Sequence, residues 1–248
     1  MLTLSFILSF ISMVVTGLFA AIVLQRWWEK RKPHLMAWGI GLLLYFLGTL
    51  SQVILALTWS HFFFGLWFWS GAIMVAAWLG QGTVYLLVRK GQWARNIQMA
   101  LLLISIMTLP WTLFLTEFDS SHWYQGADMN QIYKEVMPPF RGSVRAFAPM
   151  MNTWGTIALA GGAIYSARLF RRKQIMRNRV VGNWLIAAGA LFPAVGGTLI
   201  LLGSPAYKYA GETIGAILIF AGFLMATNVP EDALQSKHTP RTSEAAGD

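Results

Sequence analysis

There is no cysteine in this chain, which removes disulfides, thiolate nucleophiles and cysteine-ligated metals from its chemistry. Charge is scarce too: Asp, Glu, Lys and Arg make up 12% of 248 residues, where a soluble domain carries about a quarter. No HExxH, GxSxG or P-loop sequence occurs, and no GxGxxG follows a strand. No acid or base lies deep in an apolar run; Arg145 and Glu212 stand near the ends of theirs. Intramembrane charges mark proton relays and ion pathways, so proton coupling through a buried carboxylate is disfavoured. A retinal-type photoreceptor needs a lysine within its last helix, and Lys208 precedes that run. With no convergent acid, base and nucleophile, the expectation is a non-enzymatic protein without a cofactor.

Hydrophobicity is abundant, at 56% of residues. Seven long apolar runs lie near Leu2–Leu24, Leu35–Leu57, Phe64–Val88, Ile97–Leu115, Ala146–Ala167, Val181–Leu202 and Tyr209–Asn228. Each meets the roughly 20 residues a helix needs to cross about 30 Å of hydrocarbon. In lipid the backbone must satisfy itself, so these runs predict helices. The gaps after runs one, three and five hold four, three and six basic residues, and the tail holds two. The remaining four of nineteen are Lys134, Arg141, Arg145 and Lys208. Cytoplasmic loops carry the Lys/Arg excess, so the N-terminus is expected outside and the C-terminus inside. The first run lacks a basic n-region and is read as a retained helix rather than a signal peptide. Dispersed over short loops, the net charge of +9 suits anionic headgroups and not nucleic acid.

This predicts an all-α polytopic protein: a seven-helix transmembrane domain over 1–228 and a disordered cytoplasmic tail over 229–248. Trp27, Trp28, Trp38, Trp93 and Trp184 on one side, and Trp59, Trp67, Trp111 and Tyr209 on the other, read as headgroup anchors. The longest gap, 116–145, falls outside. Within it Asp128 and Gln131 resemble a capping box. Met129, Ile132, Tyr133 and Val136 follow at helical spacing until Pro138-Pro139. A short amphipathic helix near 129–137 is expected, either resting on lipid or the bundle rim or closing an outward-facing cavity. His122 with Asp119 and Asp128 is better explained by loop composition than by a metal, and no metal site is expected.

Small and polar residues form stripes on several runs, which let membrane helices approach and bond. On runs two and three, Tyr45, Gln52, Trp78, Gln81 and Tyr85 share faces that suit an apolar or amphipathic ligand. Packing alone is the competing account. Pro193 with Gly196 and Gly197 is a candidate hinge or a static kink. Gly211, Gly215 and Gly222 offer a face for a partner membrane protein. Three readings follow: binding or sensing of a small apolar or amphipathic ligand, facilitative transport, or an accessory-subunit role.

The stretch from Ala37-Trp38 to Gly48-Thr49, then Ser70-Gly71-Ala72 and Ala77-Trp78-Leu79-Gly80-Gln81-Gly82-Thr83-Val84-Tyr85-Leu86-Leu87, resembles a pattern in bacterial seven-helix integral membrane proteins of no known activity. The resemblance covers about a fifth of the chain. It implies a multi-pass protein of the bacterial inner membrane and no particular activity.

Overall fold

The computed structural model describes residues 4–88, 91–172, 177–199 and 206–227, with side chains at all of these except 194–199 and 206. The expected tail, 229–248, lies outside the described residues. Eight helices account for most of the described chain: α1 (Leu4–Lys30), α2 (Pro33–Leu57), α3 (His61–Leu87), α4 (Trp93–Phe114), α5 (Met129–Val136), α6 (147–172), α7 (Arg177–Leu199) and α8 (Ala206–Thr227). No strand occurs among the described residues. Local chemistry sets several ends. Pro33 opens α2 at a position where its missing N–H is harmless. The Ser60 hydroxyl accepts from the Phe63 N–H at 3.4 Å and caps α3.

Among the described residues, α1, α2, α3, α4 and Tyr207–Thr227 of α8 are the five helices long and apolar enough to cross a membrane. Seven such helices are expected from sequence. Of the two other long helices, α6 is the more polar. α6 includes Asn152, Thr153 and Thr156 and ends in Arg168, Arg171 and Arg172. In α7 the described side chains run only from Arg177 to Pro193, which is shorter than a span.

Packing arranges six helices in a ring: α1 lies along α2, α2 along α3, α3 along α6, α6 along α7, α7 along α8, and α8 returns to α1. α4 stands outside the ring against α3. Its outer face is apolar and exposed at Met99, Leu103, Ile106 and Met107, as is that of α1 at Ile7, Ile11, Val14 and Leu18. Such continuous apolar surfaces suit hydrocarbon and not water.

Close helix contacts explain several glycines. A Cβ on Gly155 of α6 would strike the Ala76 backbone of α3. On α7 and α8, a Cβ on Gly189 would lie 2.7 Å from the Gly215 carbonyl, and one on Gly222 2.5 Å from the Gly182 carbonyl. The glycine face expected to receive a partner is therefore filled by α7 at Gly215 and Gly222. An outside helix could reach those positions only by displacing α7.

Two π turns interrupt the long helices, Phe68–Met74 in α3 and Ile157–Gly161 in α6. A π turn inserts one extra residue, rotating everything beyond it by about 100° relative to an unbroken α-helix. The buried apolar residues form two cores. One gathers Leu55, Phe64, Trp67, Met129, Ile132 and Val136 beneath α5. The other gathers Phe19, Leu42, Leu79, Leu159, Ile186 and Ile219 deeper in the ring.

Candidate functional site

Between these cores lies a cavity of about 590 Å³, within the span of roughly 300–1,000 Å³ typical of small-molecule sites. α2 contributes Tyr45, Thr49 and Gln52; α3 contributes Trp67, Phe68, Gly71 and Val75; α6 contributes Asn152, Thr156 and Leu159. Pro193 of α7, and Lys208, Glu212 and Ile219 of α8, complete the wall. Asn130 and Tyr133 of α5, with Phe140 and Arg145 after it, close one end.

α5 is thus a roof over the cavity. Asp128 caps its start, with Oδ1 accepting from the Asn130 N–H at 2.9 Å. Met129, Ile132 and Val136 turn inward, fully or almost fully buried. The loop around it is tied to the end of α2: the Trp123 indole donates to the Leu55 carbonyl at 2.9 Å, and the Gly126 N–H to the Ala56 carbonyl at 2.9 Å. α8 reaches up as well. The Tyr209 hydroxyl donates to Asp128 Oδ1 at 2.9 Å, and the Lys208 ammonium donates to Asn130 Oδ1. Burial pushes the Asp128 carboxyl above its ordinary range, opposed by the Tyr209 hydroxyl.

A polar chain continues down the wall. Lys208 Nζ lies 3.8 Å from Glu212 Oε1. Gln52 Nε2 donates to Glu212 Oε2 at 3.3 Å, and Ser9 Oγ donates to Gln52 Oε1 at 3.3 Å. The Tyr45 hydroxyl donates to the Glu212 main-chain carbonyl at 2.8 Å. On the opposite wall, Asn152 Nδ2 donates to the Ala72 carbonyl, inside the π turn of α3, at 2.6 Å.

Of the five residues the stripes single out, Tyr45 and Gln52 line the cavity. Trp78, Gln81 and Tyr85 do not; they face α4. The Trp78 indole donates to Ser105 Oγ at 3.2 Å, Gln81 Nε2 to the Ala94 carbonyl at 2.7 Å, and the Tyr85 hydroxyl to Gln98 Oε1. The physical reason is the π turn between Trp67 and Trp78. Spacing that places both on one face of a regular helix places them on different faces here. Val75 and Leu79 take the cavity side instead.

Pro193 lines the cavity with the helix running on through it. Gly196 and Gly197 belong to the same helix, in the stretch whose packing lies outside the described side chains. His122 faces Asp119 at 3.8 Å and Glu135 at 3.5 Å, while Asp128 turns away to Tyr209.

Sequence reasoning passed over Arg145, Lys208, Glu212 and Asn130 as site residues. The signal shared by the three charged ones is position: 145, 208 and 212 all fall near an end of an apolar run. No family model, curated protein or solved structure matches the chain.

Proposed function

We propose that this is a multi-pass membrane protein of seven spans, with its N-terminus exported and its C-terminus cytoplasmic, that binds a small amphipathic molecule beneath α5. The observation that carries this reading is the roofed cavity of about 590 Å³, with aromatic and aliphatic walls and a few grouped polar side chains. The seven spans take α6 and α7 as membrane-crossing beside the five more apolar helices, because both lie in the same ring. The basic residues at the α1–α2 and α6–α7 ends support a cytoplasmic position for those ends and an exported one for α5. Residence in a bacterial inner membrane is the expectation from the helix two and three pattern.

Native mass spectrometry of gently purified full-length protein tests the reading. A reproducible small-molecule adduct is expected on the wild type and lost in Thr156→Trp, which fills the cavity. A bare wild-type spectrum after mild extraction counts against it.

Pro193 on the cavity wall favours a second reading, facilitative transport with α7 flexing there. That version requires flux in proteoliposomes, slowed by Pro193→Ala. Bound ligand without flux leaves a binder or sensor.

A further inference from the structure

We infer that the molecule beneath α5 is a single-chain amphiphile with an anionic head, carboxylate or phosphate, held by Asn130 and Arg145. This rests on the binding reading above and adds the class of ligand.

Asn130 is the first ground. It lines the cavity and is 5% exposed, and its Nδ2 makes no hydrogen bond of good geometry; the Tyr209 hydroxyl beside it, which donates to Asp128, is poorly placed to accept. The amide cannot simply be turned round. Lys208 offers only donors, so Asn130 must present Oδ1 to it and keep Nδ2 as the open atom. Buried donors are nearly always paired in native proteins, so an open one points to a missing acceptor.

Arg145 is the second ground. It also lines the cavity, and its guanidinium lies 5.6 Å from the centroid of the Tyr133 ring and donates from Nη1 to the Pro138 carbonyl at 3.0 Å. Among the described residues it makes no ion pair, whereas Lys208 pairs with Glu212. Most of its five N–H donors remain open, in the planar fork that suits carboxylate or phosphate.

The nearby acids do not fill this role. The Glu212 carboxylate receives Gln52 and Lys208, and Asp128 receives Tyr209 and its own helix N–H at Oδ1; its Oδ2 has no partner, but Asp128 does not line the cavity. What Asn130 and Arg145 leave open is donors only, beside a net positive charge. Val75, Leu79, Leu159 and Ile219 give the cavity an apolar stretch of wall beside the polar groups of α2, α6 and α8. An anionic head at α5 and a hydrocarbon chain between α3, α6 and α8 satisfy both ends.

The test is a headgroup series on the full-length protein in non-ionic detergent, read by native mass spectrometry. Palmitate, hexadecyl phosphate, hexadecanol, hexadecyltrimethylammonium and inorganic phosphate are the probes. The two anionic amphiphiles are expected to bind about tenfold or more tightly than hexadecanol, as a charge-assisted bidentate contact implies. Arg145→Gln should bring acid and alcohol to within about threefold, and Arg145→Lys should restore part of the preference. Equal binding of palmitate and hexadecanol to the wild type overturns the head assignment and leaves the binding reading standing. Inorganic phosphate binding as tightly as the amphiphiles overturns the chain. No binding by any probe, with no adduct from native membranes, removes the binding reading itself. If Arg145→Gln does not fold, the wild-type series still decides.

Discussion

Tyr45 and Trp78 each put one polar atom on a bulky ring, and both are nearly buried, at 9% and 4% exposed. Their neighbours separate them. Tyr45 donates to α8 along the cavity wall; Trp78 donates to Ser105 of α4, away from it. Truncating Trp78 to Ala should therefore cost about 3–5 kcal/mol of stability, seen as a lower melting temperature in detergent. Ligand affinity of the folded fraction should not change. Lost binding at an unaltered melting temperature would return Trp78 to the site. The side chains that meet the cavity on α2 were legible from the sequence because that helix is regular. On α3 they were not, since nothing in the spacing of Trp67, Gly71, Met74 and Trp78 announces a π turn between them.

The short helix α5 joins the bundle through apolar residues on one face and two polar tethers to α8. Removing one tether with Tyr209→Phe leaves Asp128 with its own helix N–H and an Oδ2 that already lacks a partner. The expected loss is about 1–3 kcal/mol, as for other buried polar groups deprived of a partner. Hydrogen–deuterium exchange across Met129–Val136 should speed up; unaltered exchange would assign the docking to apolar contacts alone. Asp128 also makes this docking sensitive to pH. Its folded carboxyl titrates above the ordinary value of about 3.9 because burial disfavours its charge. The stabilising contribution is therefore full below the unfolded value and is lost as pH rises through the raised folded one. Asp128→Asn keeps the cap and removes the charge. It should melt higher than the wild type at about pH 7, with the gap closing towards about pH 4. A gap independent of pH would mean that the buried charge has no part in it. The helix itself was readable from the Asp128 cap and the spacing of Met129, Ile132, Tyr133 and Val136. Its role as a roof was not, because that depends on Leu55, Phe64 and Tyr209, all distant in sequence.

The whole molecule places α5 and the exposed, basic α1–α2 connection at opposite ends of the same helices. Because the chain has no cysteine, single introduced thiols report the orientation without background. Ser121→Cys should react with a membrane-impermeant maleimide on intact cells. Gln92→Cys should react only after permeabilisation, both side chains being exposed. The opposite pattern would reverse the topology and put the cavity roof in the cytoplasm.

Composition and hydrophobic run length were enough to determine an all-helical chain built for a membrane, since uninterrupted apolar runs of about 20 residues satisfy their own backbone in hydrocarbon as helices. They also marked which helix faces carry small and polar residues. Only the folded arrangement decided where those faces go. Gly215 and Gly222 meet Gly189 and Gly182 of the same chain, and α3 turns Trp78 and Gln81 away from the cavity. Asn130, Arg145 and Lys208 share one cavity only because the segment between α4 and α6 folds back over the ring. Local pattern dictates the helix. The partner of each face depends on a π turn and on contacts between residues far apart in the chain, which no local spacing encodes.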